Sequence, residues 1–252
     1  MRIALFVTCV NDAVYPSTGR AVVSILERLG HEVVFPISQT CCGQMHLNSG
    51  YRTEGLLLAR RFVEVFSPYD VIVTPSASCG GTVVEAYAQI AEDAQDNSLA
   101  DAAREVAPRV HELTQLLVDV LNVTDVGASF PHRVTYHPTC HSLRVLHLGD
   151  RPIRLLREVR EIELVDLPDA ETCCGFGGTF ALKNSETSIA MLADKLAAAR
   201  ATEAEVLCAA DNSCLAHIGG GASRLGSRLR TMHIAEILDA TPAMDLDLLE
   251  RG

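Results

Sequence analysis

The stretch Thr40-Cys41-Cys42-Gly43 recurs later in the chain as Thr172-Cys173-Cys174-Gly175. Each copy is framed by one upstream and one downstream cysteine at similar distances. Core packing gives no reason to repeat such a spacing, so the sequence predicts an internal duplication with two groups of four thiols. The complete sets are Cys9, Cys41, Cys42 and Cys79 in the first half, and Cys140, Cys173, Cys174 and Cys214 in the second.

The duplication extends beyond the cysteines. Residues 33–43 align with residues 165–175, with Pro36 matched to Pro168, and residues 70–79 align without a gap with residues 205–214. Each cysteine of a set directly follows a short β-prone run. Because the carboxyl ends of parallel strands meet at one edge of a sheet, we expect each set to gather there.

Strand-like and helix-like segments alternate along both halves, which is typical of βαβ units. We therefore predict an α/β fold of two duplicated parallel-sheet halves, residues 1–128 and 129–252, related by a pseudo-twofold axis. Residues 127–131 form the predicted linker. The predicted strands are 3–7, 32–35, 70–74, 133–136, 162–165 and 205–208. The predicted helices are 18–29, 54–66, 91–122, 153–159 and 185–200, and two more open at Cys79 and after Cys214.

The composition excludes several classes of protein. The 252 residues carry a net charge of −11, which argues against nucleic acid and anionic membrane surfaces as partners. No apolar run reaches the roughly 18 residues of a membrane-spanning helix, so no integral membrane segment is expected. Nine cysteines without a recognisable secretion signal predict a reducing, cytoplasmic compartment, where metal or redox chemistry is favoured over disulfides.

Thiolates are soft ligands that bind iron–sulfur clusters, zinc or copper(I). Four cysteines are the usual complement of a cubane 4Fe-4S cluster. Adjacent cysteines bring two sulfurs very close, which favours a multi-iron cluster, with zinc as the alternative. Gly43 and Gly175 would let backbone amides approach cluster sulfur.

The spacing of a lone cysteine, Cys-Cys-Gly and a terminal cysteine resembles the cysteine-rich CCG domain, over nearly the whole chain and twice. That domain occurs in the B subunit of heterodisulfide reductase, the iron–sulfur subunit of glycolate oxidase and lactate-utilisation protein A. Two units without further segments are most similar to the last of these families, as are residues 214–220 and 232–238. The resemblance implies an iron–sulfur electron-transfer subunit of an L-lactate oxidation complex, with other subunits as partners, including a ferredoxin-like iron–sulfur protein.

The chain departs from the fullest form of that motif, in which each unit ends in Cys-x-x-Cys. Ser76 and Asp211 stand where the first of those two cysteines would be. Four thiols per site remain, which favours one or two ordinary cubane clusters, or sites with Ser76 or Asp211 as an oxygen ligand. The departure weakens, without removing, the alternative of a heterodisulfide-reductase-like thiol/disulfide redox subunit. The other alternative is a zinc-stapled scaffold protein.

No flavin or nicotinamide fingerprint is present, so no catalytic residue is assigned. Cys208 aligns with Val73 inside a strand and is interpreted as core. Two histidines flank Cys140, namely His137 and His141; each is interpreted either as a fifth ligand or proton relay, or as a capping or solvated residue. His217 and His233 are interpreted as structural. The threonines that precede cysteines would either donate to cluster sulfur or form turns; they are Thr8, Thr40, Thr139 and Thr172.

Overall fold

The computed structural model describes residues 1–241. They form two four-stranded sheets of identical strand order, β2-β1-β3-β4 and β6-β5-β7-β8, and every strand pair is parallel. The predicted α/β fold of two duplicated parallel-sheet halves is thereby confirmed. The strands are β1 (Arg2–Leu5), β2 (Glu32–Val34), β3 (Ile72–Thr74), β4 (Val110–Glu112), β5 (Arg133–Tyr136), β6 (Glu163–Val165), β7 (Val206–Ala209) and β8 (Arg230–His233).

Helices connect the strands. A 3-10 turn (Ala107–Arg109) and a π-helical turn (Leu116–Val120) flank β4 and the short helix after it. The α-helices are α1 (Cys9–Ala13), α2 (Pro16–Arg28), α3 (Gln44–Asn48), α4 (Arg52–Phe66), α5 (Ala77–Asp93), α6 (Asn97–Val106), α7 (Leu113–Gln115), α8 (Cys140–Arg144), α9 (Arg151–Arg157), α10 (Phe180–Lys183), α11 (Ser185–Ala201), α12 (Asn212–Arg224) and α13 (Ile234–Asp239).

The strand register matches between the two sheets. Arg2 pairs with Glu32 across β1 and β2, and Arg133 pairs with Glu163 across β5 and β6. The register therefore assigns each residue of the first sheet a counterpart in the second.

The two halves pack against each other reciprocally. Helix α5 contacts α8, while its counterpart α12 contacts α1, as a pseudo-twofold axis requires. One apolar cluster runs from β1 and α2 through to α13 and includes buried residues of both sheets. The hydroxyls of Ser17 and Thr18 each donate to Glu236 Oε1 at 2.8 Å, which ties α2 to α13. The domain boundary after residue 128 stays a prediction.

Local chemistry explains where several of these helices begin and end. Pro16 occupies the first turn of α2, where its missing N–H costs nothing. Gly30 follows that helix with a φ of +82°, a conformation that suits glycine. Ser76 and Asp211 cap α5 and α12 with their side-chain oxygens.

The prediction of a continuous helical stretch over residues 91–122 is wrong. Helix α5 ends at Asp93, α6 ends at Val106, and β4 follows within the same stretch. The fourth strand of the second sheet, β8, was likewise not predicted. Both strands are short and contain buried polar residues, so they lack the apolar alternation that marks a strand. Among residues 1–241, no helix combines the length and the apolarity that crossing a membrane requires.

Candidate metal centres

The first cysteine set converges at the carboxyl ends of three adjacent strands. Cys9 begins α1 after β1, Cys41 and Cys42 follow β2, and Cys79 lies in the first turn of α5 after β3. The Sγ atoms of Cys9 and Cys41 are 3.5 Å apart, and those of Cys42 and Cys79 are 3.1 Å apart. Cys41 and Cys42 also contact each other through their side chains, which links all four thiols into one group.

The second set repeats this arrangement after β5, β6 and β7. Its side chains form the same chain of contacts, from Cys140 to Cys173, then to Cys174 and on to Cys214. The ligand atoms of His137, Cys174 and Cys214 lie within 4.8 Å of one another. The geometry thus brings together all eight cysteines that the sequence singles out, four at each site. All nine cysteines of the chain are free thiols.

Each site favours one thiolate among its thiols. Hydrogen bonds from neighbouring cysteine thiols hold the pKa of Cys41 and that of Cys173 well below the ordinary value. The same hydrogen bonds, and then burial, raise the pKa of the donor thiols, which are Cys9, Cys42, Cys140 and Cys174. A cation or cluster bound by all four sulfurs would therefore displace protons as it enters.

A glycine supports the central thiolate at each site. The N–H of Gly43 donates to Cys41 Sγ at 3.4 Å, and that of Gly175 donates to Cys173 Sγ at 3.3 Å. Both glycines have positive φ, +81° and +88°. A Cβ on Gly175 would lie 2.5 Å from the carbonyl oxygen of Ser188, so glycine is required there on two grounds.

Residues of the second half line the cavity at the first site. A small cavity of about 60 Å³ is lined by the four cysteines of the first site and by Phe176, Gly178 and Ser213 of the second half. Across the same boundary, Gln44 Nε2 lies 2.9 Å from His141 Nε2, and Ser49 Oγ lies 2.9 Å from Thr179 Oγ1. Residues that follow each Cys-Cys-Gly therefore touch the opposite half.

Ser76 and Asp211 face each other between the sites. Ser76 Oγ accepts from the N–H of Cys79 at 3.2 Å and donates to Asp211 Oδ2 at 3.3 Å. Asp211 also accepts from the N–H groups of Ser78 and Ser213, at 2.9 and 3.2 Å. These oxygens fix the helices that carry Cys79 and Cys214. Their roles as oxygen ligands stay predictions.

The remaining candidates have mostly structural partners. Cys208 is 0% exposed within β7, so its interpretation as core is confirmed. His233 caps α13 by accepting from the N–H of Ala235 at 3.1 Å. Thr139 Oγ1 accepts from the N–H of Ser142 in the first turn of α8. Two further side chains bond away from the cysteine sulfurs: Thr172 donates to the carbonyl of Asp169, and His217 lies 3.3 Å from Ser188 Oγ.

Two buried charged residues near the sites were missed in the sequence. Lys195 on α11 is 0% exposed and donates to the backbone carbonyls of Asp169 and Ala170 at 3.0 and 3.1 Å. It is buried on α11 together with Leu196 and Ala199, but this helix has no clear amphipathic pattern, so no periodicity in the sequence marks Lys195 as buried. Glu112 at the end of β4 is 1% exposed, and burial raises its pKa to about 7.

The residues present fit an iron–sulfur cluster. Each site offers four converging sulfurs of the soft donor type that iron clusters use, and each has a backbone N–H directed at its central sulfur. Zinc is compatible with the same donors. The chemistry of the donor set therefore defines a thiolate metal site without choosing the metal.

Fold and site together define a protein with two cysteine-rich CCG domains, and residues 3–84 and 134–219 match that domain. A Lactate utilization protein A from Geobacillus kaustophilus is 47% identical over 95% of this chain and 99% of its own length. One from Oceanobacillus iheyensis is 45% identical over 95% of this chain and 97% of its own length. The chain belongs to the lactate utilization protein A family.

Among solved structures, an aspartate racemase homologue from Pyrococcus horikoshii OT3 aligns with 94% of this chain and 95% of its own. It is 10% identical and has a TM-score of 0.34, which is too low to carry an argument.

Proposed function

We propose that this chain is an iron–sulfur electron-transfer subunit of an L-lactate oxidation system. The observation that carries the proposal is the convergence of four cysteines in each of the two halves. The choice of lactate as the substrate rests on the name of the relatives, Lactate utilization protein A. The eight cysteines are the proposed ligands, and a 4Fe-4S cluster at each site is the proposed cofactor.

Oxidation of L-lactate to pyruvate releases two electrons and two protons. Clusters held by the two cysteine sets would supply two one-electron sites, one for each of these electrons. This sequence carries no nicotinamide or flavin fingerprint, and the carbon chemistry belongs either to a cluster of this chain or to a partner subunit. The electrons then leave one at a time to a ferredoxin-like iron–sulfur partner. A chain with nine cysteines fits a cytoplasmic location, where glutathione and thioredoxin keep cysteines reduced.

Metal and sulfide analysis of the anaerobically reconstituted full chain tests the proposal. We expect roughly four iron and four sulfide per site, with a broad visible absorption that bleaches on reduction. Stoichiometric zinc with no iron after reconstitution would contradict it and support the scaffold alternative. Disulfide reduction by iron-free protein would instead support the thiol/disulfide alternative.

A further inference from the structure

The two sites are backed by different side chains at equivalent positions. The N–H of Phe6 donates to the carbonyl of Val73 at 2.8 Å, and the N–H of His137 donates to that of Cys208 at 2.7 Å. Since Val73 and Cys208 occupy matching places in β3 and β7, Phe6 and His137 are counterparts. Both are buried, at 1% and 0% exposed.

A second pair of counterparts lies on the helices after Cys-Cys-Gly. Gly43 approaches Leu58 of α4, and Gly175 approaches Met191 of α11, which aligns the two helices. One turn further on, the alignment matches Phe62 with Lys195. Both side chains are buried, at 4% and 0% exposed.

In the first half the two counterparts form an aromatic wall. The rings of Phe6 and Phe62 meet edge to face at 4.9 Å, and both pack against Phe66. Phe6 belongs to the same apolar cluster as Cys42 and Cys79. An apolar, low-dielectric wall disfavours any added negative charge beside it.

In the second half, a lysine and a histidine occupy the positions of these two phenylalanines. Burial lowers the pKa of Lys195, whereas the charges of Cys174, Asp169, Cys173 and Cys140 favour its ammonium form, and Asp169 is exposed and screened by solvent. The ammonium also acts electrostatically on the imidazole of His137. Neither ring nitrogen of His137 makes a hydrogen bond of good geometry within residues 1–241. The carbonyl of Ala170 lies near that ring and is already used by Lys195.

We propose that Lys195 and His137 give the second cysteine site a higher reduction potential than the first, so that electrons held by this chain collect at the second site. The inference rests on the proposed function. Cluster potentials are set by net charge and by hydrogen bonds to sulfur, and a buried cation stabilises the reduced, more negative state. In the internal step one electron leaves the first site as the second site gains it, and no bond is made or broken.

Other charges face the two sites. Asp211 lines the first-site cavity, caps the helix that carries Cys214 and acts on His137, so its carboxylate opposes reduction at both sites. His46 lies near Cys41 and acts in the opposite sense, and it is half-buried. Arg144 lies near Cys140 but is exposed, so solvent screens it. Lys195 is the fully buried cation among these groups and carries the asymmetry.

The test is a potentiometric titration of the reconstituted full chain, followed by electron paramagnetic resonance. Cys42→Ser and Cys174→Ser assign each signal, because each variant removes one site. We expect the second site to be reduced first as the potential is lowered. In Lys195→Met, the ratio of reduced second site to reduced first site should fall at least about tenfold, or about 59 mV for a one-electron couple.

Lys183→Met is the matched control, because Lys183 is the other lysine of the chain and is exposed. It should leave both potentials unchanged. Lys195→Arg keeps the charge and should keep the order of potentials. His137→Phe, which installs the residue of the first half, should lower the second potential alone, and His46→Gln should shift the first alone.

A second site that is reduced at or below the potential of the first would overturn the inference. So would a Lys195→Met variant with unchanged potentials and full iron. If the Lys195→Met variant does not bind iron, two other variants decide. An unchanged second-site potential in His137→Phe, or a reversed order of the two potentials in Lys195→Arg, would overturn the inference. Failure of the wild-type chain to bind iron at the second site overturns the proposed function itself, which separates the two failures.

Discussion

The first and second sites have the same backbone plan but different surroundings. Both place a glycine N–H on the middle cysteine and a capped helix at the last cysteine. Behind the cysteines, Phe6 and Phe62 stand where the second half has His137 and Lys195. The elements that aim the ligands are thus kept in both copies, whereas the side chains that set the local charge differ. The comparison teaches that an equal ligand count does not imply equal chemistry.

The burial of the last cysteine differs as well. Cys79 is buried, whereas Cys214 is partly exposed. The cap of its helix also changes, from the neutral Ser76 to Asp211. The greater exposure of Cys214 adds to the contrast between the sites, since solvent exposure tunes cluster potentials. The Asp211 carboxylate accepts from Ser78 and Ser213, so it acts on both sites.

The largest effect is expected from removal of the second cysteine of a Cys-Cys pair. Cys42→Ser and Cys174→Ser each replace a thiolate by a hydroxyl that does not ionise at neutral pH, so each should lower iron per chain to about half. Iron analysis after anaerobic reconstitution measures this. Full iron in Cys174→Ser would show that the assigned ligand set of the second site is wrong.

The glycines after the cysteine pairs should respond unequally. In Gly175→Ala the new methyl meets the backbone oxygen of Ser188 at 2.5 Å, and the residue also has positive φ. In Gly43→Ala the nearest atom is Leu58 Cβ at 3.3 Å. We expect a loss in the free energy of unfolding of about 3–4 kcal/mol for the first variant and about 1–2 kcal/mol for the second.

Urea unfolding of the two apoproteins gives both values, with wild type as reference. A smaller loss for Gly175→Ala than for Gly43→Ala would mean that the backbone around Ser188 yields more easily than its geometry indicates. Iron retention in the same variants separates loss of stability from loss of the site.

Glu112 should make stability depend on pH. Burial, and then the Asp211 carboxylate among its neighbours, raise its pKa from 4.5 to about 7. Because the folded state holds this proton more tightly than the unfolded state, its contribution is fully present below pH 4.5 and is lost as pH rises through 7. Above that range the loss amounts to about 3 kcal/mol.

Glu112→Gln should remove this dependence. The amide oxygen can still accept from the N–H of Thr114, which the carboxylate does at 2.7 Å, and no charge appears at high pH. Relative to wild type, the variant should therefore gain up to about 3 kcal/mol in the free energy of unfolding between pH 5 and pH 8. Parallel pH profiles of the two proteins would show that Glu112 is not the group that titrates.

The internal repeat made the fold class and the two cysteine sets predictable from the sequence. Duplicated spacing located all eight clustered cysteines, because strand, turn and cysteine are adjacent in the sequence. Strand β4 was not predictable, because Val110-His111-Glu112 is too short and too polar to show the apolar alternation of a strand. The burial of Lys195 was not predictable either, since a lysine on a helix is usually exposed. The burial of that lysine depends on carbonyls of a distant loop, which no local pattern reveals.

The smallest effect is expected at Cys208. Its counterpart Val73 occupies the same register position in the first sheet, and both are 0% exposed. Burial keeps the Cys208 pKa well above the ordinary value, so the thiol is neutral and acts as a small apolar side chain. Cys208→Val is nearly volume-conserving and should change the free energy of unfolding by less than about 1.5 kcal/mol. Iron per chain should equal that of wild type, in contrast to Cys174→Ser. If Cys208→Val instead loses the iron of the second site, the ninth thiol belongs to that site and the two halves do not share one ligand set.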